Sequence, residues 1–540
     1  MNNRIFRSMR TRLGLLLLAS VLLIAAGCQA IGGLDFNKAL IQSLKVTSSE
    51  SKGSVQFNLQ LNEAALDSGD YNEDEIGLLR LFSNITLKFD EMKQQDRNHV
   101  SIKGKLILGD KYNIGFVVKQ DKETLVMELE GAKAPFVLDL TSEGLLEATG
   151  QTFDGELTPE TEQSLTELGF KLTDLIGGYA INNLPNPKGL KVAPVTESIN
   201  GQQVSLLHAS FEMNGEDMLA WIEGYLDALL KDEALLKATI KGFVELMSDE
   251  PELWKVLGVE NPFATSSDSL DAPTADEIAD EMAQEMVAFM KEMQEELQQE
   301  KQNDYLASSG VFTDALKLKA SFYVDSKLDI RKSLTEVSYT DPTLAEQEEE
   351  GYLQPFTGFT VKVENEQWNV GGAVTADKAV AGENAVDAEE LTWLESYEIL
   401  GYFDENSDLY SLLKNELHMA RQTYSAYSDD YYNPPIIVPG YITIVSLRDV
   451  GEAFGAEISY DAASKTATLR DALTDTTIQV KVGSDKAVVN GATEIWPFPA
   501  TKINGSMYVP ARKLAEALGA DISWETIYED IKELVIEREL

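Results

Sequence analysis

Ser54-Val55-Gln56-Phe57-Asn58-Leu59-Gln60-Leu61 alternates polar and apolar residues without a break. Side chains on a strand point alternately to opposite faces, so this spacing predicts a strand wet on one side and packed on the other. The period recurs at Ile85/Leu87/Phe89, Val100/Ile102, Tyr112/Ile114/Phe116/Val118, Leu125/Met127/Leu129 and Phe136/Leu138/Leu140, with Gly109-Asp110 and Gln120-Asp121 as turns. Short connections between alternating runs predict an antiparallel meander.

Further along, the period changes. A helix is expected from Pro159, with Thr158 as its cap. A hairpin follows around Asn200-Gly201, and then a helical section spans about 214–303. Leu219, Ile222, Leu226 and Leu229 share one helical face; Leu236, Ile240, Phe243 and Met247 share another. Thr274 and Glu277 have capping-box spacing, and the helix after them carries Met282, Met286, Phe289, Met290 and Met293 on one stripe. Strand periodicity returns at Leu316–Val324, Ser326–Arg331, Thr335–Tyr339, Phe359–Val363 and Gln367–Val370. The fold class expected is α+β: a large antiparallel-sheet domain over 36–372, with its helices segregated to one face.

That layout resembles the open half-barrel of lipoprotein-carrier and lipid-binding lipoproteins, in which a curved sheet wraps helices around an apolar cavity. The resemblance implies a cavity for an apolar or lipid ligand, with Met282, Met286, Phe289, Met290 and Met293 as candidate lining. Methionine adapts to irregular apolar shapes, though a stripe at that spacing also serves as ordinary core.

The N-terminus sets the address. Arg4, Arg7, Arg10 and Arg12 precede an apolar run from Leu13 to Ile24, and the first acid is Asp35. This is the pattern of a secretory signal, and the run is short for the ~20 residues that span a bilayer. Leu23-Ile24-Ala25-Ala26-Gly27-Cys28, with the only cysteine of 540 residues, resembles the lipobox of bacterial lipoproteins. The resemblance implies a signal peptide over 1–27, cleavage before Cys28 and acylation (palmitate among the chains) of its sulfur, although the usual Leu three residues before the cysteine is Ala25. Residues 28–35 are then the lipidated residue and a short spacer. The expected location is the outer face of the cytoplasmic membrane.

Removing residues 1–27 takes away four arginines and no acid, so the net charge moves from −45 to −49. Such an acidic surface repels phosphate, which argues against nucleic-acid partners. With no second cysteine, no disulfide framework is available.

Residues 373–433 have less pattern, with helices expected near Leu391–Glu398 and Leu409–Arg421 and then a tyrosine-rich stretch; they are expected to form a connector. After it, Val445–Tyr460 aligns with Val509–Trp524 at an offset of 64, with eight identities in sixteen positions. Each unit predicts a strand, a short helix closed by Gly455 or Gly519, and a strand. Arg448 with Glu452, and Arg512 with Glu516, stand four apart and are expected to be structural pairs. Val-Ser-Leu-Arg, Val-Pro-Ala-Arg, both Gly-Ala junctions and Val489-Asn490-Gly491 resemble the copper amine oxidase N-terminal domain, over about 434–540. Ser446 and Ala511 depart from the family's usual Val-Pro-Leu-Arg. The resemblance implies an accessory stalk module on an envelope protein, used for interaction or display.

Catalytic motifs are missing from the sequence. The three histidines, His99, His208 and His418, are scattered, and neither Asn-Tyr-Asp nor Asn-Tyr-Glu occurs, so copper oxidase chemistry has no support. There is no Gly-x-Ser-x-Gly elbow, phosphate loop or zinc pattern. Asp70–Asp74 and Asp404–Asp408 imitate the start of a calcium loop but lack its glycine and closing glutamate. The sequence therefore supports a non-enzymatic binding or interaction role at the cell envelope, without cofactor or metal, with a wall component or envelope protein as partner. A carrier of an apolar ligand is the alternative, and a cell-wall hydrolase the second.

Overall fold

The computed structural model describes residues 32–141, 159–250, 254, 261–263, 274–302, 312–341, 348–349, 352–526 and 531–540. Cys28 and the expected signal peptide lie outside the described residues, as does Thr158. The chain divides into two compact units, Met1–Thr392 and Trp393–Leu540.

In the first unit the described elements are α1 (Phe36–Leu44), β1 (Ser49–Leu61), α2 (Glu73–Phe82), β2 (Asn84–Gln94), β3 (Val100–Leu108), β4 (Tyr112–Gln120), β5 (Thr124–Leu129) and β6 (Phe136–Asp139). Then come α3 (Pro159–Asn182), β7 (Lys191–Ile199), β8 (Gln202–Asn214), α4 (Gly215–Lys231), α5 (Glu233–Ser248) and α6 (Ala275–Gln302). The series ends with β9 (Leu316–Val324), β10 (Ile330–Thr340), β11 (Phe356–Trp368) and β12 (Val386–Asp387). These twelve strands form one sheet in the order β12-β6-β5-β4-β3-β2-β1-β11-β10-β9-β8-β7, and Glu348–Glu349 pairs separately with Tyr352–Leu353. All neighbours in the twelve-stranded sheet are antiparallel except β12 and β6. The quoted stretch is thus the C-terminal part of β1, a thirteen-residue strand near the centre of the sheet. Ser326–Arg331, expected as a strand, is mostly the turn between β9 and β10, where Asp325 accepts from the N–H groups of Lys327 and Asp329 and Leu328 has φ +70°. The two strands expected within Phe359–Val370 are one, β11.

The helices collect on one face. Phe36 and Leu40 of α1, Ile181 of α3 and Trp221 of α4 pack with Ala209, Phe211 and Met213 of β8 and Ala320, Phe322 and Val324 of β9. A second layer joins α5 and α6 through Leu236, Ile240, Val244, Ala279 and Met290. The capping box of Thr274 and Glu277 starts α6.

The sheet is not flat. The Asn200 N–H, in the turn between β7 and β8, donates to the Glu366 carboxylate of β11 at 2.9 Å, and Lys332 of β10 pairs with Glu197 of β7 at 3.3 Å. In a flat sheet β7 and β11 would stand four strand spacings apart, about 19 Å. The β7–β8 hairpin therefore curls over the face opposite the helices. Burial raises the Glu366 carboxyl, but the Asn200 N–H and Lys52, 3.1 Å away, outweigh it and hold the group below its ordinary value. Register breaks at Gln60/Leu61 and Ser51/Gly53 of β1, Phe89/Glu91 of β2 and Ile330/Lys332 of β10 supply the bending, because a bulge tightens the local twist.

The second unit holds β13 (Arg421–Tyr427), β14 (Ile436–Val438), β15 (Ile442–Ser446), α7 (Leu447–Ala453), β16 (Glu457–Asp461), β17 (Thr466–Asp471), β18 (Thr476–Lys481), β19 (Lys486–Val489) and β20 (Ala492–Ile495). It closes with β21 (Thr501–Ile503), β22 (Ser506–Pro510), α8 (Ala511–Leu518), β23 (Asp521–Thr526) and β24 (Lys532–Glu539). Its sheets are β13-β24-β23, β14-β15-β22-β21 and β16-β17-β18-β19-β20. Both repeats form strand-helix-strand, and their first strands pair so that Val445 lies opposite Val509, its own equivalent. Of residues 373–433, read from the sequence as a connector, 393–433 fall within this unit. Tyr424 and Ala426 of β13 enter its core because β13 pairs along β24. The helix expected at Leu409–Arg421 ends earlier, at Glu416, where His418 turns the chain at φ +49°.

Candidate ligand-binding face

Following the pairing across the large sheet gives rows of side chains on the face that also bears the helices. One row runs Phe211, Ala320, Thr335, Val363, Val55, Leu87, Leu106, Ile114; the next runs Met213, Leu318, Val337, Val361, Phe57, Ile85, Leu108, Tyr112. At the β8–β9 end these residues are core. At the β3–β4 end Leu108, Ile114 and Tyr112 are also buried, at 3, 4 and 3 % exposure. Between the two ends the apolar character continues but the burial does not. Val55, Phe57, Leu59, Ile85, Leu87, Leu106, Val361 and Val363 are only half-buried, in the same class as Gln56 and Asn58 on the opposite, polar face. The strip crosses four strands, β11, β1, β2 and β3, about 14 Å, and runs about 14 Å along β1, from Val55 to Leu59.

Two glycines shape its upper edge. Gly53, Phe89, Gly104 and Phe116 lie opposite one another on successive strands. A Cβ on Gly104 would meet the Lys88 carbonyl at 2.3 Å and the Phe116 ring at 2.6 Å; one on Gly53 would meet the Glu364 carbonyl at 2.3 Å. Only glycine fits, and over Gly104 the Phe89 and Phe116 rings meet edge to face at 6.3 Å. One end of the strip is marked by α3, where the Arg97 guanidinium of the β2–β3 turn sits 3.9 Å from the Phe170 ring. Near the other, Asn72 and Glu75 close a capping box at the start of α2.

The methionine stripe is divided between core and surface. Met290 is buried and Met282 half-buried against α5, while Met286 and Phe289 are exposed at 44 and 56 %; Met293 is half-buried. Periodicity identified the stripe but not the neighbour it faces. A separate open cleft of about 480 Å³ lies between the β7–β8 hairpin and the β9–β10 turn, lined by Val195, Leu206, Leu207 and Val324 with Asp325 at its rim. Its carboxylate is engaged by Arg331 at 3.1 Å.

Several residues singled out in the sequence have local duties. Asn72 of the first acidic stretch caps α2, and in the second Asp404 accepts from the Asn406 N–H, while Ser407 caps a helical turn. Among the described residues no group of three or more His, Cys, Asp and Glu side chains could hold a metal. No described helix is long and apolar enough to cross a membrane. Arg448 and Glu452 pair at 3.0 Å on the surface, whereas in the second repeat Lys513, not Arg512, pairs with Glu516. Gly455 and Gly519 both have φ +68°. Ser446, where the family usually has proline, caps α7 by accepting from the Asp449 N–H.

Residues 427–532 match the copper amine oxidase N-terminal domain family. The match covers the non-catalytic part of those oxidases. Neither the curated proteins nor the solved structures contain a match to the chain. The matched segment omits two residues that close the domain core. Arg538, 2 % exposed, bonds Asp471 at 2.5 Å and Gln422 at 2.7 Å. It also donates to the carbonyls of Phe454 at 3.4 Å and Leu518 at 3.0 Å. Those carbonyls are equivalent positions of the two repeats, each at a helix C-terminus where a cation is favoured. The sequence analysis missed this group. A signal was present, since Gln422-Tyr424-Ala426, Ala467-Leu469-Asp471 and Leu534-Ile536-Arg538 each place one polar residue at the end of an inward-facing alternation.

Proposed function

We propose that this chain is a lipid-anchored extracytoplasmic protein with a non-enzymatic binding role at the cell envelope, and that its ligand is an apolar molecule lying on the sheet face just described. The observation that carries the reading is the continuity of apolar rows through a region where they are half-buried. A contiguous apolar surface of this kind marks an interaction site in a soluble protein. The sheet is bent by bulges and glycines, which suits a shallow trough for extended chains better than a closed pocket. Acyl chains on Cys28 hold the body near the bilayer, and two or more of them make the attachment durable. With Gln29–Asp35 as the whole spacer, α1 begins within about 30 Å of the lipid surface.

The test is native mass spectrometry of the Cys28→Ser protein, made in its host and extracted without detergent. A co-purifying lipid is expected, absent from Phe57→Asp/Leu87→Asp protein that melts at the parental temperature. Repeated isolation of the parental protein without apolar ligand, or a variant as loaded as the parent, would overturn the proposal.

A further inference from the structure

Four large side chains in one short stretch of the second unit contribute nothing to its core. Tyr431 and Tyr432 are 88 and 82 % exposed, Ile437 is 64 % and Tyr441 is 96 %. Tyr441 has φ +59° at the tip of the β14–β15 hairpin. A bulky residue in the left-handed region is strained, and here the strain secures no packing. Asparagine or glycine would make the same turn freely, as Asn490-Gly491 and Asn504-Gly505 do in this unit. Strain held without structural return is a pointer to a binding duty.

The surroundings indicate the chemistry of the partner. The Tyr431 and Tyr432 rings stand edge to face, 4.7 Å apart at 83°, two walls of an open corner of the sort that receives an ammonium group. Exposed Asp429 adjoins them, and between Arg421 and Arg448 the chain has no Lys or Arg. Over residues 393–540 there are twenty-four acids against twelve Lys and Arg, a charge balance that favours a cationic partner. A peptide could seek to add itself to β14, which is an edge strand. Pro434, Pro435 and Pro439 bracket that strand and lack N–H donors, which blocks strand addition. What remains is exposed tyrosine rings on either side of the short strand β14 along the chain, with Asp429 close to the first pair, a surface for a chain of sugar rings.

We propose that Tyr431, Tyr432 and Tyr441 form a docking ridge for an envelope polysaccharide carrying free amino groups. The ridge lies in the other unit from the apolar face and does not depend on it.

The experiment measures binding of a glucosamine hexamer to the Cys28→Ser chain by calorimetry, beside an N-acetylglucosamine hexamer and a hexalysine peptide. Saturable binding of the glucosamine hexamer is expected, weakened by salt, at least tenfold stronger than that of either comparator. It should fall at least tenfold in Tyr431→Ala/Tyr432→Ala and in Tyr441→Gly, the latter melting no lower than the parent because its turn is relaxed. No binding, equal binding of the acetylated hexamer or of hexalysine, or full binding by both variants would overturn the proposal.

Discussion

Replacing Arg538 by methionine is the sharpest test of how the second unit is held together. Methionine keeps the length and apolar stem of the side chain but removes four hydrogen bonds, to Gln422, Asp471, Leu518 and Phe454. It also strands Asp471, whose side chain is wholly inaccessible. Removing one partner of a buried ion pair costs about 3–5 kcal/mol, because the other charge stays buried without compensation. For a unit of this length that lowers the melting temperature by roughly 10–15 °C. Differential scanning calorimetry of the chain should show one transition moving by this amount. The pH dependence identifies the cause. Burial raises the Asp471 carboxyl, but the Arg538 guanidinium, the Thr474 hydroxyl and the Leu473 N–H together bring it below its ordinary value. A depressed carboxyl stabilises the fold above its unfolded value of about 3.9, and the contribution is lost as pH falls through the lower, folded value. In Arg538→Met the same carboxyl has lost its cation and is raised by burial, so protonation relieves it and the deficit narrows from pH 7 toward pH 4. The double variant Arg538→Met/Asp471→Leu should recover much of the loss, since an apolar pair replaces a buried ion pair at little cost. A single variant within about 1 kcal/mol of the parent, or a deficit independent of pH, would refute the reasoning.

Gly455 and Gly519 have the same backbone conformation in different surroundings. Alanine at Gly519, where a Cβ meets nothing within 4 Å, should cost about 1 kcal/mol of backbone strain alone. Alanine at Gly455 should cost more, because its Cβ would lie 2.7 Å from the Tyr397 hydroxyl; equal chemical-denaturation midpoints would contradict this. Asn72→Ala removes one half of the α2 capping box and should destabilise the first unit by about 1 kcal/mol, read as a shift of its urea midpoint. Cys28→Ser should abolish labelling by a fatty-acid analogue and release the protein from the membrane fraction, and continued labelling would remove the proposed anchor.

Local order was legible wherever the polypeptide's own period was the cause. The alternation at Val55–Leu61, the turn at Gly109-Asp110, the capping box at Thr274 and the two repeats all depend on residues close in sequence, and all are present. What failed depends on a partner far along the chain. Leu409, Leu412 and Leu413 have helical spacing, and the helix does start, but β24, over a hundred residues away, captures Arg421–Tyr427 as a strand. The tyrosine-rich stretch looked like a linker because Tyr424 and Ala426 are apolar only on the side that β24 presents to the core. The methionine stripe was recognised as one face, yet α5 takes only Met290 and Met282 from it.

The same reasoning explains why the candidate face could be named only in the structure. Each of its strands alternates as a half-buried strand should, and no single strand says whether its apolar side meets helices or water. The distinction appears when the pairing aligns Phe211 with Val55 and Leu87 along one row, buried at its two ends and only half-buried from Val363 to Leu106, where every residue is apolar. A sheet evolved only for stability would place polar residues where its helices stop, as it does on the reverse side with Gln56, Asn58 and Lys88. Keeping valine, leucine and phenylalanine there costs solubility, and a bound apolar molecule offsets that cost by covering them.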